Sequence, residues 1–168
     1  LALVECDLGQ RHAAIKLLDT TLTITQNYYG ENHIKTAYIL IYLARTAYKN
    51  EDYDRSEKLL NKALSIYTHE FGSEHSTVAE VLCVMGGIYR KKGNYNRALD
   101  LLNKSLEIKN REYGKDNVLV ANTKVKLAII YRQMGKYEVA INLLKSSVAT
   151  YKDTYGVNNR LTAWAMTY

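Results

Sequence analysis

The chain has 168 residues, 47% of them hydrophobic, which is enough apolar material for one soluble core. No apolar run approaches the roughly 18 residues of a membrane span, so no membrane partner is expected. A net charge of +6, from 23 Lys and Arg against 17 Asp and Glu, favours an acidic partner, and the absence of proline favours uninterrupted helices.

The start, Leu1-Ala2-Leu3-Val4-Glu5-Cys6-Asp7, has no basic region ahead of an apolar one, so no signal peptide is expected. The two cysteines, Cys6 and Cys83, are too few for a disulfide framework or a metal cluster and read as small helix residues of a reducing compartment. The expected localisation is cytoplasmic.

From Tyr29 onward one stretch sets the organisation. Tyr29-Gly30-Glu31-Asn32-His33-Ile34-Lys35-Thr36-Ala37 recurs as Phe71-Gly72-Ser73-Glu74-His75-Ser76-Thr77-Val78-Ala79. It recurs again from Tyr113-Gly114 to Ala121 and from Tyr155-Gly156 to Ala163, so the glycines at 30, 72, 114 and 156 are 42 residues apart each time. A fixed period of this length marks a repeat architecture. Residues 1–30 form the latter part of one repeat, 31–72, 73–114 and 115–156 are full repeats, and 157–168 open another. The whole, 1–168, reads as a single array that begins inside a repeat, and so as a piece of something longer.

Each repeat predicts two helices. The first starts at His33, His75, Asn117 or Asn159, where a short polar side chain can accept from otherwise orphaned backbone N–H groups. In the 115–156 repeat its apolar positions, Val118, Ala121, Val125, Ala128 and Tyr131, follow a period near 3.6. It ends near Gly93 or Gly135, glycines suited to a left-handed cap; Glu51 at the equivalent place weakens that cap, and Gly9 is the counterpart in the partial repeat. The second helix starts around Tyr53, Tyr95 or Tyr137. Its core face is Ala140, Leu143, Leu144, Ser147 and Val148, repeated as 98, 101, 102, 105, 106, as 56, 59, 60, 63, 64, and as Ala14, Leu17, Leu18, Thr21, Leu22. Small residues at Ala14, Ser56, Ala98 and Ala140 predict close helix crossings there. Gly86, opposite Ala44 and Ala128 in register, fits the same packing role; Gly87 next to it has no such reason and weakens its helix.

Leu127-Ala128-x-x-Tyr131-x-x-x-Gly135-x-Tyr137-x-x-Ala140 resembles the tetratricopeptide repeat, lengthened from the usual 34 or so residues to 42. With Gly-x-x-His opening a repeat, the long form is similar to the kinesin light chain class. The resemblance covers essentially the whole chain and implies an all-α, right-handed solenoid of antiparallel helix pairs that serves protein interaction. Two positions depart from that class. Ile34, Ser76, Val118 and Arg160 stand where proline usually follows the His, and Ile41-Tyr42, Cys83-Val84 and Val125-Lys126 stand where an Asn-Asn pair usually faces the groove. Kinesin cargo recognition therefore does not carry over.

No chemistry of a catalytic kind is legible. No nucleophile sits in a recognisable elbow, and Gly86-Gly87 lies inside a helix rather than in a phosphate-binding loop, so the chain is not expected to be an enzyme or to need a cofactor. His12, His33, His69 and His75 lack zinc-ligand spacing, and His33 and His75 are the same repeat position, so no metal is expected.

The candidate site is the concave face, which the first helices of stacked pairs line. By register it comprises Tyr38, Ile41, Tyr42, Arg45, Tyr48 and Lys49, then Glu80, Cys83, Val84, Gly87, Arg90 and Lys91, then Asn122, Val125, Lys126, Ile129, Arg132 and Gln133. Six cations, Arg45, Lys49, Arg90, Lys91, Lys126 and Arg132, face one acid, Glu80, and Tyr38, Tyr42 and Tyr48 add an aromatic patch. The residues expected to take a peptide are Tyr38, Tyr42, Arg45, Tyr48, Lys49, Arg90, Lys91, Asn122, Lys126 and Arg132. The expected ligand is an acidic or mixed acidic-aromatic protein segment. A second reading makes the array a regulatory or sensor arm of a larger signalling protein. A third, non-specific nucleic-acid binding, rests on charge alone and ranks last. Self-association through the incomplete end repeats is also expected, because terminal repeats need polar caps.

Overall fold

The structure, a computed structural model, describes residues 11–157 together with 159, 160, 162 and 163. The expectations for Leu1-Ala2, Cys6, Gly9, the side chains of His12 and Ala14, Asn158 and Leu161 lie outside the described residues. Among those described there are seven helices and no strand. In order they are α1 (Arg11–Tyr29), α2 (Ile34–Lys49), α3 (Tyr53–Phe71), α4 (Ser76–Lys91), α5 (Tyr95–Tyr113), α6 (Val118–Gln133) and α7 (Tyr137–Tyr155). The second helix of each full repeat starts at the tyrosine that its sequence predicts.

The first helices are capped by the recurring polar residue. Asn117 Oδ1 accepts from the backbone N–H of Leu119 at 2.8 Å. His33 and His75 do the same through Nδ1, which accepts from Lys35 N at 3.1 Å and Thr77 N at 3.2 Å. A histidine thus fills an asparagine's place in two repeats. Each imidazole is also stacked on the aromatic residue four positions back, Tyr29 on His33 at 4.9 Å and Phe71 on His75 at 4.7 Å between centroids. The glycine inside that motif has a stricter cause. Gly72, Gly114 and Gly156 have φ near 81° with ψ between 160° and 169°. That region is open essentially to glycine alone, which is why the turn repeats it.

The turn within each repeat uses a second left-handed position. Gly93 and Gly135 have φ of 78° and 76°, and Glu51 takes the same conformation at 62° despite its Cβ. Asp52 and Asn94 then cap the following helix, accepting from Arg55 N and Arg97 N at 3.1 Å each, whereas Lys136 in the same place makes no side-chain cap.

The helices form two compact units, residues 1–84 and 85–168, divided within α4. In the first, α1 packs on α2 and α2 on α3. The core holds Leu18, Ala37, Leu40, Leu43, Ala44, Leu60, Ala63 and Ile66. The close crossing expected at Ser56 is present, since its buried hydroxyl donates to the Ala44 carbonyl at 2.7 Å. In the second, α5 packs on α6 and α6 on α7. There Ala121, Val125, Ala128, Ala140, Leu144 and Tyr151 form a cluster, with Leu143 and Val148 packed against it. Ser147, buried with them, donates to the Ala121 and Leu143 carbonyls. A leucine buried to this degree contributes about 1.5–3 kcal/mol. Gly86 plays the packing role its register suggests, because a Cβ there would stand 2.6 Å from Leu102 Cγ.

In α1 the expected core face is only partly covered. Leu18 is buried and Leu22 half-buried, but Leu17 and Thr21 are exposed, as is Ile24 outside the expected face, at 62%. Counterparts of Thr21 and Ile24, Ser147 and Ile108, are buried on the second helices of later repeats.

Candidate functional site

The residues that do not repeat are the ones available for specificity, and in the first unit they are aromatic. Tyr38 and Tyr42, one turn apart on α2, meet edge to face at 4.7 Å with their hydroxyls 2.8 Å apart. Tyr38 is 52% exposed and Tyr42 half-buried. The hydrogen bond to Tyr38, and then burial, raise the Tyr42 phenol above its usual pKa. On α3, burial and then the neighbouring Tyr38 raise the Tyr67 phenol too. Tyr42 thus stays a neutral phenol and offers a ring and a hydrogen bond rather than charge, while Tyr67 is buried beneath. Tyr48 packs its ring on Tyr53 of α3 at 5.7 Å.

Arg45 is exposed and donates to Glu80 of α4 at 3.1 Å. The single acid in the expected face thus pairs with a cation of the same face. With both side chains nearly half exposed, the pair contributes at most about 1 kcal/mol. Lys49 is exposed at the end of α2.

In the second unit Lys91 and Arg132 are exposed, and Arg90 and Lys126 are half-buried. Lys49, Arg90, Lys91 and Arg132 share a local cause, since all lie in the last turn of a first helix. Positive charge there complements the helix dipole by about 0.3–1 kcal/mol each. Lys126 lies mid-helix, where that reason is absent. Asn122 has a structural role, because its Oδ1 accepts from the hydroxyl of Tyr151 at 2.6 Å. Tyr151 is fully buried, and burial, with Tyr155 adding, pushes its phenol up to about 12.

Three expected face positions are core. Ile41, Cys83 and Val125 occupy one place in successive repeats, and all three are buried. They lie on the packed edge of the first helix, where a side chain turns toward the neighbouring helices instead of toward a ligand. Gly87 is the opposite case: nothing lies within 4 Å of where its Cβ would be.

Sequence reasoning missed the position of Tyr67, Lys109 and Tyr151, one place in successive repeats on the second helix. These three are buried. Lys109, 3% exposed, directs its Nζ to Thr123 Oγ1 at 3.3 Å. The signal was a polar residue inside the second helix's apolar period, with Thr25 as the fourth occupant. Thr36 and Thr162 were also missed; their hydroxyls donate to the Gly30 and Gly156 carbonyls at 2.8 and 3.1 Å, closing the inter-repeat turn.

No helix among the described residues is long and apolar enough to cross a membrane.

The model of the tetratricopeptide repeat family matches residues 1–69, 39–111 and 77–153. No curated protein matches the sequence. Among solved structures, BtubC (BKLC) from P. vanneervenii is similar at 21% identity and a TM-score of 0.81, over 95% of this chain and 64% of that one. A putative kinesin light chain of Podosopora anserina with nearly identical repeats is similar at 21% identity and a TM-score of 0.80, over 98% of this chain and 78% of that one. A Rap protein complexed with competence and sporulation factor is similar at 18% identity and a TM-score of 0.80, over 98% of this chain and 44% of that one. The chain thus spans less than two thirds of the length of BtubC and less than half of the Rap protein. At these identities the likeness is one of fold, an all-α helical-repeat solenoid, and with the family's model matched from residue 1 to 153 the chain belongs to the tetratricopeptide repeat family, here with a 42-residue period.

Proposed function

We propose that the chain is a protein-interaction module that takes an acidic, or mixed acidic and aromatic, segment of a partner along its first helices. The observation that carries this reading is the sign of the charge on the expected face of the first helices. Arg90, Lys91, Lys126 and Arg132 carry one sign of charge in the second unit, while Glu80, the acid of the set, is engaged by Arg45 in the first. In this reading Arg90, Lys91, Lys126 and Arg132 hold carboxylates, and Tyr38, Tyr42 and Tyr48 supply ring contact together with Lys49 and Arg45. Asn122 contributes by fixing Tyr151 behind that face. The Rap structure, solved with competence and sporulation factor, supports the reading only to the extent that this fold can take a ligand.

The test starts from a peptide selected on the wild-type protein from a random library. Replacing Arg90 and Arg132 with Glu together should weaken its binding by about tenfold or more, a loss of about 1.4 kcal/mol or more. Unchanged binding, with thermal midpoints still near wild type, refutes the reading.

The second reading, a regulatory arm of a larger protein, draws on the chain's covering only 64% of BtubC and 44% of the Rap protein. The full-length gene decides it: an adjoining nucleotide-binding or signalling domain supports it, and repeats alone refute it. Self-association draws on Leu17, Thr21 and Ile24, which are exposed where later repeats bury the counterparts of Thr21 and Ile24. We expect a second copy to cover that stripe of α1. Ile24→Glu should then lower the sedimentation-average mass at high concentration, and a wild-type protein that stays strictly monomeric refutes it.

A further inference from the structure

Lys124 of α6 stands where the first helices of the two preceding full repeats carry Leu40 and Leu82, both buried. A cation at a core place breaks the chain's own pattern, and departures of this kind concentrate at functional sites. Lys124 is half-buried, so its aliphatic stem takes the leucine's place while its head reaches outward. Its Nζ donates to Ser146 Oγ, exposed on α7, at 2.8 Å, and to the Lys115 carbonyl at 3.4 Å. Both acceptors are neutral. Asn122 and Lys126 lie two residues to either side, about 200° around the helix, so this spot is separate from the face proposed for peptide.

The first full repeat carries an oxyanion at the same spot. Glu31 and Lys62, in register with Lys115 and Ser146, form an ion pair at 3.1 Å. Repeat 73–114, with Ser73 and Lys104, keeps the single cation. In repeat 115–156 the acid's place holds an exposed lysine, the lysine's place holds a hydroxyl, and a second ammonium arrives from the core place. One cation facing one acid has become two cations facing none. Among the described residues neither Lys115 nor Lys124 forms an ion pair, and Asp116, the exposed acid beside Lys115, pairs with neither. We infer that Lys115, Lys124 and Ser146 form a binding site for a tetrahedral dianion of the phosphate class, free or as a phosphomonoester. The Ser146 hydroxyl, accepting from Lys124, donates to one oxygen of the dianion, and the two ammonium groups hold others. A dianion matches both positive charges, whereas a single carboxylate matches one.

The probe is inorganic phosphate, at a mildly alkaline pH that keeps it a dianion, against chloride at equal ionic strength. Phosphate at about ten times its dissociation constant should raise the wild-type thermal midpoint by about 3–6 °C. Lys124→Leu restores the residue of the other repeats. Its midpoint without phosphate should equal or exceed wild type, and its rise with phosphate should vanish apart from the general salt effect common to both proteins. Ser146→Ala should weaken phosphate binding by about fivefold. O-phosphoserine replaces phosphate in a second titration: tighter binding supports the site with a phosphorylated partner as its source, and equal or weaker binding supports it with free phosphate. An equal rise in wild type and Lys124→Leu overturns the inference, as does acetate acting as strongly as phosphate. Should Lys124→Leu not fold, the exposed Lys115→Gln decides the question: a loss of about tenfold in phosphate binding supports the site, and unchanged binding refutes it.

Discussion

Glu51 offers a direct test of how the repeats are built. It takes a φ of 62° at the position where Gly93 and Gly135 sit at 78° and 76°. A side chain in left-handed backbone costs about 1–2 kcal/mol, because Cβ crowds the following carbonyl. Glycine removes that cost but gives back about 0.5–1 kcal/mol through its larger freedom in the unfolded chain. Glu51 is exposed, so little contact is lost with its side chain. Glu51→Gly should therefore stabilise the protein by about 0.5–1 kcal/mol. For a chain of this length that is a rise of about 1–4 °C in thermal midpoint, measurable by circular dichroism and checked by a shift in urea midpoint at constant slope. The reverse substitutions, Gly93→Ala and Gly135→Ala, should each destabilise by about 1 kcal/mol. A lowered midpoint for Glu51→Gly, or unchanged midpoints for the two alanine variants, would refute the argument.

Further outcomes follow from the same structure. Gly86→Ala should destabilise by about 1–3 kcal/mol through its clash with Leu102, and a change within about 0.5 kcal/mol would mean Leu102 simply moves aside. His75→Ala, which removes a cap bond and a ring stack, should cost about 1 kcal/mol in denaturant melts, while His75→Asn should retain most of the stability. Tyr151 gives the pH dependence. Its phenol is raised in the folded state to about 12, so the stability it contributes is fully present below about pH 10 and is lost as pH rises through 12. Tyr151→Phe should flatten part of the alkaline loss of stability between those values; a profile parallel to wild type would contradict it.

Much of the architecture was legible because the period exposed it. A residue that recurs at 30, 72, 114 and 156 must serve geometry common to all copies, and the φ and ψ of Gly72, Gly114 and Gly156 show what that geometry is. The helix starts at Tyr53, Tyr95 and Tyr137 and the caps at His33, His75 and Asn117 were readable for the same reason. The site was less legible. A helical register assigns faces to within about 100° per residue, so it placed Ile41, Cys83 and Val125 with the exposed residues although they lie on the packed edge. Nor could it show that Glu80 pairs with Arg45, or that Asn122 serves Tyr151, because those contacts join residues 35 and 29 positions apart. The burial of Lys109 escaped it too, since a lysine is ordinarily read as surface.

Lys126 tests the central claim most directly. Arg90, Lys91 and Arg132 have a helix-dipole reason to be basic, but Lys126 lies mid-helix and has none. The measurement is fluorescence anisotropy of a selected acidic peptide against Lys126→Glu and against Lys104→Glu, an exposed second-helix control. The account predicts that Lys126→Glu weakens binding by about tenfold while Lys104→Glu stays within about twofold, with the first effect shrinking as salt is raised. Equal binding by the two variants would contradict it.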